Sequence, residues 1–169
     1  MREKEGMKRR HLRLLGLALI VLLIDQVTKR FALSLSNRPF EIIGEFFSLS
    51  LVMNRGGIFG LFQSFGPFLL FGSLAAILLI LFLFRRIGQE EGYPGFAFGL
   101  ILGGALGNIV DRLFYGAVVD FLDFGIGTLR WPTFNLADTA ITVGVGLLLF
   151  FNFSSHYSLK DNPGPHHKP

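Results

Sequence analysis

Four long apolar stretches govern what this chain can become, because a helix that crosses a bilayer needs about 20 consecutive apolar residues. The first runs from about Leu12 to Leu35 and is interrupted by Asp25 and Lys29. The second, about Pro67 to Phe84, is almost wholly apolar. The third, about Gly95 to Phe114, is rich in glycine, and the fourth runs from about Phe134 to Phe153. Composition agrees, since 17% of residues are charged, against roughly 25% in soluble domains, and mean hydropathy is +0.53. The expected fold is an all-α membrane protein, a four-transmembrane-helix bundle with a small extracytoplasmic β element on its outer face. Residues 1–153 form a single domain and residues 154–169 a polar cytoplasmic tail. A cleaved leader competes for the first stretch, which has a basic start and an apolar run over Leu14–Ile24. Asp25-Gln26 stands where a small-residue cleavage site belongs, so a retained helix is expected.

Lysine and arginine set the orientation. Arg2, Lys4, Lys8, Arg9, Arg10 and Arg13 precede the first stretch, and Arg85 and Arg86 open the loop after the second. The other two loops hold only Arg38, Arg55, Arg112 and Arg130 over greater lengths. The positive-inside rule then makes both termini and the middle loop cytoplasmic. Segments from about Ser36 to Gly66 and from Tyr115 to Thr133 face outward. Within them Phe47-Ser48-Leu49-Ser50-Leu51 alternates with the period of a half-buried strand. Asn54-Arg55-Gly56-Gly57 reads as a turn, and Val118 to Phe124 as a second extended piece. The net charge of +4 sits at segment ends, which is a topology signal and not a nucleic-acid surface.

Several chemistries are excluded or weak. There is no cysteine, hence no disulfide framework, thiol nucleophile or thiolate metal site. The histidines are His11, His156, His166 and His167, all outside the apolar stretches. His166-His167 is a weak metal candidate beside the plainer reading of a solvated terminus.

Ionisable residues at membrane depth cost roughly 2.5–3.5 kcal/mol each at a helix centre, so each raises a functional hypothesis. With the orientation above, they converge. Asp25 and Lys29 fall in the outer half of the first helix, on one face at i,i+4 spacing. Asn108, Asp111 and Arg112 fall at the outer end of the third, and Asn135 and Asp138 in the first outer turn of the fourth. Asp120 lies in the loop between. Each also has a plainer reading: Asp25 and Lys29 as a structural ion pair, Asp111 with Arg112 as an interfacial anchor, Asn135 as an N-cap. Asp138 equally suits the positive end of the helix dipole. Gly99, Gly103 and Gly107, with Gly104 beside them, form a ridge of small residues that lets helices approach closely.

Two carboxylates are the chemistry this cluster supports without any cofactor. When two carboxylates share a site, one pKa rises and the other falls. The ionised member activates a water while the protonated one donates to the carbonyl oxygen or the leaving amine. Asp120 and Asp138 are one candidate pair, and sequence spacing alone does not choose it. Asp123 is a rival, taken to share Asp120's side of an extended segment.

The chain resembles the lipoprotein signal peptidases, or signal peptidase II, bacterial membrane aspartic peptidases. The resemblance covers roughly residues 14 to 153. It rests on Asp25-Gln26-Val27-Thr28-Lys29 and on Asn54-Arg55-Gly56-Gly57-Ile58-Phe59. It continues through Gly103-Gly104-Ala105-Leu106-Gly107-Asn108-Ile109-Val110-Asp111-Arg112, Val118-Val119-Asp120-Phe121 and Phe134-Asn135-Leu136-Ala137-Asp138. It implies that Asp120 and Asp138 are catalytic. Asn54, Gly56, Gly104, Asn108, Asp111, Arg112, Asn135 and Ala137 then line or support the site, and Asp25 and Lys29 are structural. It further implies a substrate prolipoprotein carrying a diacylglyceryl group on a cysteine, cut just before that cysteine, and a location in the bacterial cytoplasmic (inner) membrane. Membrane lipid is the other expected partner, and a monomer suffices. Gly57-Ile58 departs from the two small residues usual in the family before the phenylalanine. The competing classes are a proton relay through Asp25, Asp111 and Asp138, and a purely structural membrane subunit. Relays need ionisable groups spread across the membrane, and the inner halves of the second and fourth helices offer none.

Overall fold

In the computed structural model, the described residues are 2–35, 39–55, 66–87 and 95–160. Gly56, Gly57, Ile58, Phe59, Arg38 and the tail histidines His166 and His167 lie outside them, so the expected glycine turn and the family departure do too. Along the chain run α1 (Arg2–Ser34), β1 (Phe40–Ile43), β2 (Phe47–Asn54), α2 (Gly66–Ile87) and α3 (Gly95–Tyr115). β3 (Val118–Ile126), β4 (Leu129–Arg130) and α4 (Leu136–Lys160) follow. The protein is mostly helical with one small antiparallel sheet, as expected. Among the described residues two helices are long and apolar enough to cross a membrane, Glu5–Ser34 and Gly95–Tyr115, while Leu136–Asn152 is a shorter apolar helix. The expectation of four spans is thus met by two helices on length and composition.

Helix ends differ from the sequence reading for local reasons. α1 begins ten residues earlier than expected, at Arg2, because its basic start holds no proline to break a helix. α4 begins at Leu136 instead of Phe134, because Phe134 is held by β3. The main-chain N–H of Phe134 donates to the carbonyl of Leu122 at 3.1 Å, and its carbonyl accepts from Phe121 and Leu122 at 3.0 and 2.8 Å. At its other end α4 continues past Phe153 to Lys160.

The glycine ridge does what its spacing suggests. A Cβ on Gly99 or Gly103 would press on Leu14, Leu17, Ala18 and Val21 of α1, and one on Gly104 would meet the Ala137 carbonyl of α4. α3 is therefore the central helix, with α1 against one side and α4 against another. The face of α1 turned away carries Leu19, Leu23, Val27 and Phe31, each more than half exposed. This four-residue repeat of uncovered apolar side chains is what a helix shows when its solvent is lipid.

The sheet has the order β1-β2-β3-β4. Ser48, expected on the polar side of a half-buried strand, is buried, while Phe47, Leu49 and Leu51 are only half-buried. Its hydroxyl faces Asp123 and Arg130. The outward polar face is thus covered, and the alternation reports two occupied faces. Gly116, at φ 65°, ends α3 with its N–H on the Arg112 carbonyl, a left-handed conformation that glycine adopts without Cβ strain. Gly127, at φ 57°, plays the equivalent part in the β3–β4 turn.

Candidate active site

Two strands and the approach to α4 assemble the site. β2 and β3 are antiparallel, with Phe47 opposite Phe124 and Leu49 opposite Leu122, but Val52 is opposite Asp120 and Asn54 opposite Val118. One extra residue in β2 between Leu49 and Val52 changes the register. Side chains alternate faces, so a one-residue slip moves every later one to the other face. In the register that begins at Phe47, Asn54 would lie on the face opposite Asp120. After the bulge it lies diagonal to Asp120 on the same face, and its Nδ2 donates to Asp120 Oδ2 at 2.8 Å.

Asn135 joins this network from the other side. Its Nδ2 donates to Asp120 Oδ1 at 2.7 Å, while its main-chain N–H donates to Asp138 Oδ2 at 3.3 Å. In return Asn135 Oδ1 accepts the Asp138 main-chain N–H at 2.9 Å. This is the reciprocal capping arrangement of a helix N-terminus, so the expected cap at Asn135 exists, and the same residue touches both carboxylates. Asn108, on α3, donates from Nδ2 to Asp138 Oδ1 at 2.8 Å and accepts on Oδ1 from Asn135 at 3.2 Å.

The two aspartates border one cavity of about 930 Å³. Asn54, Arg55, Asn108, Arg112, Trp131 and Phe134 also line it. Asp120 is 1% exposed, and its close donors are the neutral amides of Asn54 and Asn135. Burial is the first cause that pushes its carboxyl up to about 7, with the charge of Asp138 adding to it and the Asn54 hydrogen bond opposing it.

Asp123 does not join. Three positions separate it from Asp120, an odd number, so an extended strand turns the two to opposite faces. The expectation that they share a side was wrong. Asp123 instead pairs with Arg130 at 2.9 Å and accepts from Ser50 at 3.0 Å.

The other candidate residues fall behind the cavity wall. Lys29 Nζ lies 2.8 Å from Asp25 Oδ2 and 2.8 Å from Asp111 Oδ2, with all three residues buried. The ion pair expected of Asp25 and Lys29 is present, and it is a triad. Asp111 therefore turns inward and Arg112 toward the cavity, which separates a pair read as one anchor. Ala137 is fully buried and gives its N–H to Asp25 Oδ1 at 2.9 Å, and Gly104 serves helix contact. Sequence reading missed Gln26 as a linker: its Nε2 donates to Asp111 Oδ1 at 2.9 Å and to the Gly107 carbonyl at 3.2 Å. An amide inside an apolar helix was the available signal. Trp131 was also missed, and nothing in its local sequence marks it. Among the described residues no group of histidine and acidic side chains is placed to hold a metal ion.

Known proteins resemble this chain in sequence and in fold. A sequence model described as "Signal peptidase (SPase) II" matches residues 17–154. The lipoprotein signal peptidase of Burkholderia mallei (strain SAVP1) is 45% identical over 141 residues, covering 80% of this chain and 84% of its own. That of Paraburkholderia phymatum is 46% identical over 142 residues with the same coverage. A solved structure described as a bacterial membrane enzyme, obtained by the in meso method at 2.3 Å, superposes with a TM-score of 0.75. It is 29% identical and covers 93% of each chain. A second such structure, at 1.9 Å, gives a TM-score of 0.72 at 31% identity over 82% of this chain and 90% of its own. The family match spans both aspartates and every polar residue gathered around them, and the chain belongs to the signal peptidase II family.

Proposed function

We propose that Asp120 and Asp138 are the catalytic pair of an aspartic endopeptidase acting at the outer face of the bacterial cytoplasmic membrane. The enzyme removes the signal peptide from prolipoproteins, as its family does. The observation that carries the residue assignment is the sharing of one asparagine, Asn135. Asn135 hydrogen-bonds both carboxylates, Asn108 holds one of them, and both aspartates open on the same cavity.

The chemistry follows from one proton shared between the two carboxyls. Asp120, pushed up to about 7, carries that proton near neutral pH. Asp138 accepts a proton from a water as the water oxygen attacks the scissile carbonyl carbon, and Asp120 gives its proton to the carbonyl oxygen. The tetrahedral diol then collapses. Asp138 passes its proton to the leaving amine nitrogen, Asp120 recovers one from the diol, and the C–N bond breaks. Both carboxyls regain their starting protonation states, a water proton has moved to the amine, and no cofactor enters. Arg112 and Asn54 line the cavity where the peptide backbone lies, and Gly56 belongs to the same outer segment.

The substrate is a prolipoprotein with a diacylglyceryl-modified cysteine, cut before that cysteine. A cavity at the outer interface, lined in part by Ala76 of α2 and by Ile141 and Val143 of α4, leaves the lipid in the outer leaflet while the peptide bond reaches the carboxylates. All four helices span, residues 1–153 form the membrane domain and 154–169 its cytoplasmic tail, and a monomer contains every residue the mechanism uses. Both termini are cytoplasmic. Incubation of purified protein with a lipidated prolipoprotein tests the pair: Asp120→Asn and Asp138→Asn should each abolish processing, and full processing by either would sink the assignment. Asp123→Cys should react with a membrane-impermeant thiol reagent added outside intact cells, and reaction only after the inner face is opened would reverse the orientation.

A further inference from the structure

Each carboxylate of the buried triad holds the backbone next to one of the two cavity aspartates. Asp25 accepts the N–H of Ala137, the residue immediately before Asp138. Asp111 accepts the N–H of Val119, the residue immediately before Asp120, at 3.0 Å. Lys29 sits between these carboxylates and has a third proton, which it gives to Asn108 Oδ1 at 2.9 Å. An ammonium has three donors and no acceptor, so its capacity is filled by these three contacts. The donation also fixes the amide of Asn108. With Oδ1 taken by Lys29 and Asn135, the NH₂ group is the part left to address Asp138.

From this geometry we infer that Asp25, Lys29 and Asp111 are positioning residues for the reaction, setting the placement of the two carboxylates through Ala137, Val119 and Asn108. A structural ion pair that only fastens α1 to α3 has no need to reach these three points. The three contacts lie on α4, on β3 and on the one α3 amide that donates to Asp138, elements that are otherwise joined at the site mainly by Asn135. The alignment of catalytic groups is sensitive to small displacements, and a shift of about 1 Å can cost about 10²-fold in rate. The inference rests on the assignment of Asp120 and Asp138 as the reacting pair.

The test uses the full-length enzyme in detergent or lipid vesicles, with kcat and KM measured on a lipidated prolipoprotein below each variant's thermal midpoint. Asp111→Asn retains an oxygen that can accept from Val119 but loses the ion pair. Lys29→Met removes the donor to Asn108 as well. The triple variant Asp25→Asn, Lys29→Met, Asp111→Asn leaves no buried ion unpaired and keeps the measurement possible if Lys29→Met does not fold. Folded Lys29→Met or the triple variant should lose about 10- to 100-fold in kcat with KM within about twofold, and Asp111→Asn should lose less. Wild-type kcat in a folded variant would overturn the inference, as would a KM that rises while kcat stays. Asp120→Asn and Asp138→Asn run beside them: activity in those two removes the assignment itself, whereas inactivity there with full kcat in the triad variants removes only the positioning role.

Discussion

Asp120 and Asp123 lie three residues apart on one strand, and they are treated in opposite ways. Asp123 is 15% exposed and faces the Arg130 guanidinium at 2.9 Å, with Ser48 and Ser50 completing its shell. Asp120 is almost fully buried, and its nearest donors are neutral amides from Asn54 and Asn135. A charge partner stabilises the ionised form, whereas burial with uncharged donors leaves much of the desolvation cost in place. One face of the strand therefore stores an ordinary ion pair, and the other holds a carboxyl near neutrality that can both keep and give up a proton. The same residue type in the same segment becomes an ion-pair partner or a buried carboxyl on a cavity according to which way the pleat turns it.

Four measurements break or sharpen this contrast. The largest effect is on turnover: Asp120→Asn should lower kcat by about 10³-fold or more, within the range for removing an acid–base group, while Asp123→Asn should stay within about threefold. Comparable losses in both would erase the distinction. Next, Asn135→Ala removes the donor shared by both carboxylates together with the α4 cap. It should lower stability by about 1–2 kcal/mol and kcat by at least about tenfold, measured by thermal melts and initial rates. An Asn135→Ala enzyme with full kcat would show that the shared amide does not hold the pair.

A smaller effect concerns pH. Asp120 has a folded value of about 7 against an ordinary 3.8. A raised carboxyl favours folding only while protonated, so its contribution is complete below 3.8 and is lost as pH rises toward 7. Asp120→Asn should therefore gain thermal midpoint over wild type at pH 8, and the gain should shrink toward pH 5. Activity on the high-pH side should fall with an apparent midpoint near 7. A midpoint difference that is flat from pH 5 to 8 would contradict a buried, uncompensated carboxyl. The smallest effect is at Arg130, 37% exposed. Arg130→Ala should cost no more than about 1 kcal/mol, as exposed ion pairs do, and leave kcat unchanged.

Much of this was legible in the sequence, and the reasons are physical. Apolar runs of spanning length point to a membrane protein, and the structure gathers the polar residues of α1, α3 and α4 that the sequence placed at one level. Asp25 and Lys29 at i,i+4 spacing had to share a helix face, and they pair. The glycines at positions 99, 103 and 107 had to form a ridge, and α1 lies against it. These are short-range consequences of helix geometry. Asp111 was different: with Arg112 it read as an interfacial anchor, and it turns inward to pair with Lys29 of α1. Asp123 was misread through strand parity, which three positions settle.

By itself the sequence determined the polar inventory, the helix faces and the family motifs, because each depends on residue type and on spacing within one element. Only the tertiary structure decided which of these groups meet. The bulge in β2 that brings Asn54 to the side of Asp120 is a register shift between strands far apart in sequence. The bonds between Phe134 and Leu122, which bring Asn135 and Asp138 beside β3, likewise join segments that no local pattern pairs. Hydrogen-bond register and burial arise from long-range contacts, and those contacts place two aspartates on one cavity and turn a third away.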